Sequence, residues 1–176
     1  MIAEQLITSH VVPLKRFDTG ALALSMMEEL RISHLPVVDG ADFLGILSEK
    51  EILESGDPDF VVGLHPFANA NVSVAPGEHV FEVLKLFSSL NLTMVPIVGE
   101  NRQYLGAIIL QTVVHALAEL IGIDEPGGII VLEINDKDYS MAEILQVVES
   151  NETRILSCLV HSTPDSTILR VTLKVS

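Results

Sequence analysis

The sequence predicts an α+β fold in which one mixed unit is built twice in tandem and a third, shorter unit follows. Three observations predict it. The segment from Ile32 to Ile52, ISHLPVVDGADFLGILSEKEI, returns in degenerate form from Leu92 to Val113 as LTMVPIVGENRQYLGAIILQTV. Apolar residues upstream of both copies recur at helical spacing. Beyond the break IGIDEPGG, Ile121 to Gly128, the pattern changes to strand-like alternation around one amphipathic stretch. An internal repeat constrains architecture before any single residue does.

Each element follows from local chemistry. Val11 to Leu14 is a short apolar run that reads as a strand. Asp18 or Thr19 can cap a helix over 19–30, where Leu22, Met26 and Leu30 fall at i, i+4, i+8. Two strands follow around a polar turn: apolar-Pro-apolar-Val, then apolar-Gly-apolar. In the second copy Val72 to Ala75 reads as the short strand, and Val80, Val83, Phe87 and Leu90 form the helical stripe over 79–90. Pro36 and Pro96 stand 60 residues apart and Gly45 and Gly106 stand 61 apart, so the second turn is one residue longer. Glu54 to Asn71, rich in Gly, Pro and Asn, joins the copies, and a helix over 111–121 closes the second. The repeats are expected at 1–62 and 63–123, and the last unit at 127–176.

That last unit reads βαββ. GIIVLEIN, Gly128 to Asn135, is β-rich. Met141, Ile144, Leu145 and Val148 share one helical face, with Asp138 or Ser140 as cap and Glu143 as the partner of a Ser140 capping box. RILSCLVH and ILRVTLKV are strands, the second alternating Leu169, Val171, Leu173 and Val175 inward, and STPDST supplies the turn between them. A second helix and a fourth strand would complete a ferredoxin-like βαββαβ arrangement, so the unit reads as incomplete, its cover coming from further chain or from a neighbouring subunit.

Composition excludes several functions. The 176 residues carry 24 acids against 10 bases, a formal charge of −14, with a mean hydropathy of +0.45. Phosphate backbones are held by clustered Lys and Arg, whereas Lys15-Arg16 is the only adjacent pair of bases here, which disfavours nucleic acid and anionic membrane as partners. No apolar run reaches the ~18 residues of a bilayer span. The N-terminus is acidic and mixed, unlike a signal peptide, and a cytoplasmic protein is expected. The one cysteine, Cys158, is read as a small buried hydrophobe, with His161 on the opposite strand face. The six histidines lack metal-ligand spacing; His79 reads as a helix-start residue and His115 as a partly buried packing residue. Nucleophile-elbow, Walker and zinc-protease motifs are absent and Glu49 and Glu51 do not face one another, so the chain is not read as an enzyme.

The doubled HLPVVD-like turn followed by FLGIL resembles the CBS domain, which occurs as a tandem pair, over roughly the first 120 residues. The last unit is similar in topology to an ACT domain. The combined order resembles the acetoin-utilisation B-type bacterial proteins, which are regulatory. The resemblance implies two CBS repeats related by a pseudo-twofold axis, packed sheet to sheet, and a homodimer of such pairs. In CBS pairs that bind adenosine nucleotides, a Gly-apolar-x-Ser/Thr-x-x-Asp element offers a hydroxyl and backbone N–H groups to phosphate, and its carboxylate meets the ribose hydroxyls.

Carried onto this sequence, the first repeat reads Gly45-Ile46-Leu47-Ser48-Glu49-Lys50-Glu51. Ser48 supplies the hydroxyl and Glu51 stands for the usual Asp, one methylene longer. Lys50 adds charge against phosphate, and His34 sits where the family places a ligand-facing polar residue. In the second repeat Ile109 replaces the hydroxyl and Thr112 the carboxylate, so that half is expected to take no nucleotide or to be adapted to something else. The resemblance implies a non-enzymatic sensor of an adenosine-type ligand (AMP, ADP, ATP or S-adenosylmethionine) with no required cofactor. S-E-K-E is also a capping box, which explains Ser48 and Glu51 with no ligand; a ligand-free dimerisation or interaction scaffold is then the alternative. A third reading is effector binding by the ACT-like part near Asn135-Asp136-Lys137-Asp138, although turn chemistry accounts for those residues more simply.

Overall fold

In the computed structural model, which describes residues 1–164 and 166–176, the chain divides into two compact units, Met1–Val114 and His115–Ser176. The first unit holds the repeats. In repeat 1, β1 (Leu14–Lys15) pairs parallel with β2 (His34–Asp39), which pairs antiparallel with β3 (Asp42–Ser48); α1 (Gly20–Leu30) connects the parallel pair and α2 (Glu49–Ser55) follows β3. In repeat 2, α3 (Val80–Leu90) leads into β4 (Met94–Val98) and β5 (Tyr104–Ile109), an antiparallel pair, and α4 (Leu110–Leu120) follows, with the unit boundary inside it.

The repeats match in fine detail. Pro36 faces Ile46 and Pro96 faces Ala107. Each hairpin then bulges at one place, between Val37 and Val38 and between Ile97 and Val98, setting Leu44 and Leu105 outside the ladder. Arg31 and Asn91 close α1 and α3 in the left-handed conformation. The extra residue of the second turn is taken up by a 3-10 turn, Glu100–Arg102, in which Asn101 and Arg102 have positive φ.

Several expectations for the repeats are corrected; the first strand, for one, is Leu14–Lys15 and not Val11–Leu14. Val72–Ala75 forms only a single parallel bridge, Val74 to Ile97. In repeat 1 the Arg16 N–H donates to Val38 O at 2.9 Å; Pro76 stands at the matching position and has no N–H to give. Helix α1 buries Gly20, Ala23 and Met27 instead of Leu22, Met26 and Leu30. The bare Cα of Gly20 lets Phe60 press against the start of this buried face, where an added Cβ would meet the Phe60 ring at 2.5 Å. His115 is exposed on α4, where Val113 and Ala116 are the buried positions. Thr19 and His79 cap α1 and α3, and Val80, Val83 and Phe87 form the buried stripe of α3 while Leu90 stays exposed. The core of the unit includes Leu14, Leu35, Ile46, Leu47, Met94, Ile97 and Ile108, all fully buried; each such side chain contributes about 1.5–3 kcal/mol relative to exposure.

The second unit is β6 (Gly128–Asn135), α5 (Met141–Glu149), β7 (Ile155–Ser162) and β8 (Ile168–Val175). Its sheet order is β6-β8-β7 with both pairings antiparallel, so β6 and β7 run parallel on either side of β8. Val171, Leu173 and Val175 form the buried centre, packed by Ile130, Leu132, Ile134, Ile144 and Val148. Ser140 caps α5 by accepting from the Glu143 N–H at 3.4 Å, so only the forward half of the expected capping box forms. Cys158 is half-buried, with its Sγ 3.5 Å from Met141 Sδ, and burial pushes its thiol pKa up. The STPDST turn includes Asp165, which lies outside the described residues. Beside α5 the sheet leaves an apolar groove of about 550 Å³, lined by Ile130, Leu132, Ile134, Val147 and Val148 among others. Among the described residues, no helix is long and apolar enough to cross a membrane and no cluster of His, Cys, Asp and Glu is placed to hold a metal ion.

Candidate functional site

Ser48 ends β3 and begins α2, so its side chain stands at a strand-to-helix turn. Its Oγ accepts from the Glu51 N–H at 3.2 Å, and its own N–H donates to Glu51 Oε2 at 2.8 Å. The Ser48 hydroxyl also donates to Oε2 at 2.5 Å. The capping box read from the sequence is therefore formed. The other carboxylate oxygen, Oε1, accepts from the Ala68 N–H at 2.9 Å, and His65 Nε2 lies 3.9 Å from it. Burial by itself would raise the Glu51 pKa; the bonds from Ser48 and Ala68, with His65 alongside, outweigh it and hold the group below the ordinary carboxylate value.

His34 pairs with Ser48 across the β2–β3 ladder. Its Nδ1 accepts from the Thr93 N–H at 3.3 Å and lies 3.0 Å from Thr93 Oγ1, which in turn accepts from the Ser33 N–H at 3.0 Å. Ser33 and Thr93 are repeat-equivalent positions, so this small network joins the two halves where the repeat symmetry brings them together. Burial lowers the His34 pKa, and the negative charge of Glu51 opposes it only in part.

Gly45 is buried beneath Phe67; a Cβ there would lie 2.8 Å from Phe67 Cβ. Four of the six expected residues, Gly45, Ser48, Glu51 and His34, thus surround one turn. Lys50 instead projects into solvent and pairs with Glu54 at 3.7 Å. Ile46 is fully buried, its side chain given to the core.

Sequence reading missed the segment that lies over this turn. His65 packs near Phe60 and Phe67, at ring distances of 5.2 and 6.3 Å. Beyond Ala68, the Ala70 carbonyl and Asn71 Oδ1 accept from Arg102 Nη2 and Nη1 at 2.9 and 3.2 Å, and Arg102 Nε donates to Phe43 O at 3.1 Å. The repeat itself carried a signal for this. Ile7 and Thr8 match Phe67 and Ala68, and Ile7 covers Gly106 as Phe67 covers Gly45. Each half is therefore closed by the segment that leads into the other half. In the second half the closing bond is from the Thr8 N–H to Ala107 O, at 2.9 Å, with Ile109 and Thr112 where Ser48 and Glu51 would stand.

The model of the CBS domain family matches residues 3–56 and again 67–119. The chain belongs to the CBS domain family. CBS domain pairs are regulatory modules that often bind adenosine nucleotides. Among solved structures, the chain is similar to a CBS domain pair/ACT domain protein from Thermotoga maritima, with 22% identity and a TM-score of 0.60 over 68% of this chain and 98% of that one. It is also similar to an acetoin utilization protein, AcuB, from Vibrio cholerae, with 25% identity and a TM-score of 0.55 over 71% and 96%. A third, CBSX2, was solved in complex with AMP and shares 17% identity, with a TM-score of 0.56 over 67% and 96%.

Proposed function

We propose that this CBS pair is a regulatory module that senses an adenosine-type ligand through its first repeat. One observation carries the reading: of the two equivalent strand-to-helix turns, only the first places a hydroxyl and an ionised carboxylate together, Ser48 with Glu51, beside the buried Gly45 and half-buried His34. A carboxylate accepts from both hydroxyls of a ribose, and a serine hydroxyl donates to a phosphate oxygen. Similarity to CBSX2, solved with AMP, supports the ligand class. The second unit then reads as an ACT-like responder, on its split βαβ topology. Ligand binding biases such a responder only as far as affinity differs between its states. The module acts as a homodimer, supported by apolar side chains exposed along its helices, Leu53 at 66% and Val114 at 56%.

Calorimetry with AMP, ADP, ATP and S-adenosylmethionine tests the sensor. Ser48→Ala is expected to weaken binding roughly tenfold or more, the loss of one hydrogen bond to a charged group, while Ile109→Ala in the second repeat leaves affinity unchanged. Silence toward all four ligands would refute it. That result would favour the second reading, a ligand-free scaffold, for which the completed Ser48–Glu51 capping box is the specific support.

A further inference from the structure

The segment between the repeats lies over the site just described, and it is fastened there unequally. At its far end Arg102 donates two hydrogen bonds to it, to Ala70 O and Asn71 Oδ1, and a third to Phe43 O of β3. At its near end the His65 N–H donates to Val62 O at 3.1 Å; beyond it a single backbone N–H, that of Ala68, meets Glu51, with His65 Nε2 3.9 Å from the same oxygen. Next to Ala68, Phe67 rests on Gly45 of β3.

We infer that residues His65–Asn71 form a strap closing the first cleft from within, and that a ligand with vicinal hydroxyls opens it by taking the Glu51 carboxylate from the Ala68 N–H. The inference rests on the adenosine-type reading of this cleft. The Glu51 side chain is only 14% exposed, and both its oxygens already accept hydrogen bonds. With the strap lying against it, the carboxylate is open to a diol only where a bond already made gives way. The Ser48 N–H bond spans three residues, caps a helix and stays when the Ser48 hydroxyl turns from Glu51 to the ligand; the Ala68 bond spans 17 residues and is a single bond in exposed backbone. The strap is the partner that gives way. Arg102 keeps its end in place, so motion is confined to the stretch from His65 to Ala68. The second half shows the contrast. There the covering segment is closed by a backbone-to-backbone bond, Thr8 N–H to Ala107 O, with no carboxylate that a ligand could claim. Closure of the strap lowers apparent affinity by the fraction of molecules in which it is open.

The chain contains no tryptophan, so Phe67→Trp places a single reporter on the strap. In the resting protein its fluorescence should be blue-shifted and weakly quenched by acrylamide. Saturating AMP should red-shift it and raise quenching severalfold, and Glu51→Ala should do the same with no nucleotide present. Calorimetry on the same proteins separates the outcomes. If AMP binds and the tryptophan does not change, the strap is not a gate, while the site reading stands. If Glu51→Ala, confirmed folded by circular dichroism, leaves quenching unchanged, Glu51 is not the latch. The AMP arm keeps Glu51 intact and does not depend on that variant folding. If no adenine nucleotide binds, the site reading fails and the gate fails with it.

Discussion

His34 shows how one residue sets a pH limit. The Thr93 N–H can only donate, so Nδ1 of His34 must keep its lone pair, and protonation would set donor against donor. Burial lowers its pKa accordingly. The folded chain then binds this proton less readily than the unfolded chain. Above the ordinary imidazole value both forms are neutral and nothing is lost. As pH falls through about 6.5, the unfolded state gains the proton first and stability declines. Glu51, also held low, acts in the same direction further into acid: its contribution is present above the ordinary carboxylate value and is lost as pH falls through its depressed one. His34→Gln keeps an acceptor without a titrating ring. Thermal melts between about pH 7.5 and about pH 5.5 should show a smaller drop in the variant than in the parent; equal drops would mean that His34 does not carry this linkage.

At the scale of elements, local signals suffice where one interaction dominates. Of the four residues that alternate in β8, Val171, Leu173 and Val175 are buried and Leu169 is only half-buried, with Leu173 paired to Ile130 on one side and Cys158 on the other. Leu173→Ala should therefore cost about 2–5 kcal/mol in chemical denaturation. Leu159→Ala, on the exposed face at 52%, should change stability by no more than about 0.5 kcal/mol. Similar losses for the two would overturn the assigned faces. In helix α1, Leu22, Met26 and Leu30 fit a helical stripe as well as Gly20, Ala23 and Met27 do, and packing against residues distant in sequence, Phe60 on Gly20 among them, goes with the second stripe. Pro76 shortens a strand for a reason only half visible in the sequence: the missing N–H can be read there, but it matters because the repeat partner Arg16 uses its own.

For the whole molecule, a charge of −14 on an apolar chain keeps surface patches soluble without hiding them. Leu22, Leu53, Phe81 and Val114 are exposed on α1, α2, α3 and α4. Light scattering should return twice the 19.1 kDa chain mass, and Leu53→Glu with Val114→Glu should return the single mass. A parent protein that is monomeric at all concentrations would refute the homodimer.

The sequence by itself determined the repeat, the order of elements and the pair Ser48 and Glu51, because these depend on periodicity and on contacts three or four residues apart. Tertiary structure alone decided which face of α1 is buried, that Lys50 leaves the site, and that residues 65–71 lie over it. The Ala68–Glu51 and Arg102–Ala70 bonds join residues 17 and 32 positions apart. Neither local propensity nor spacing reports on such contacts, since they exist only after two half-units have packed against one another.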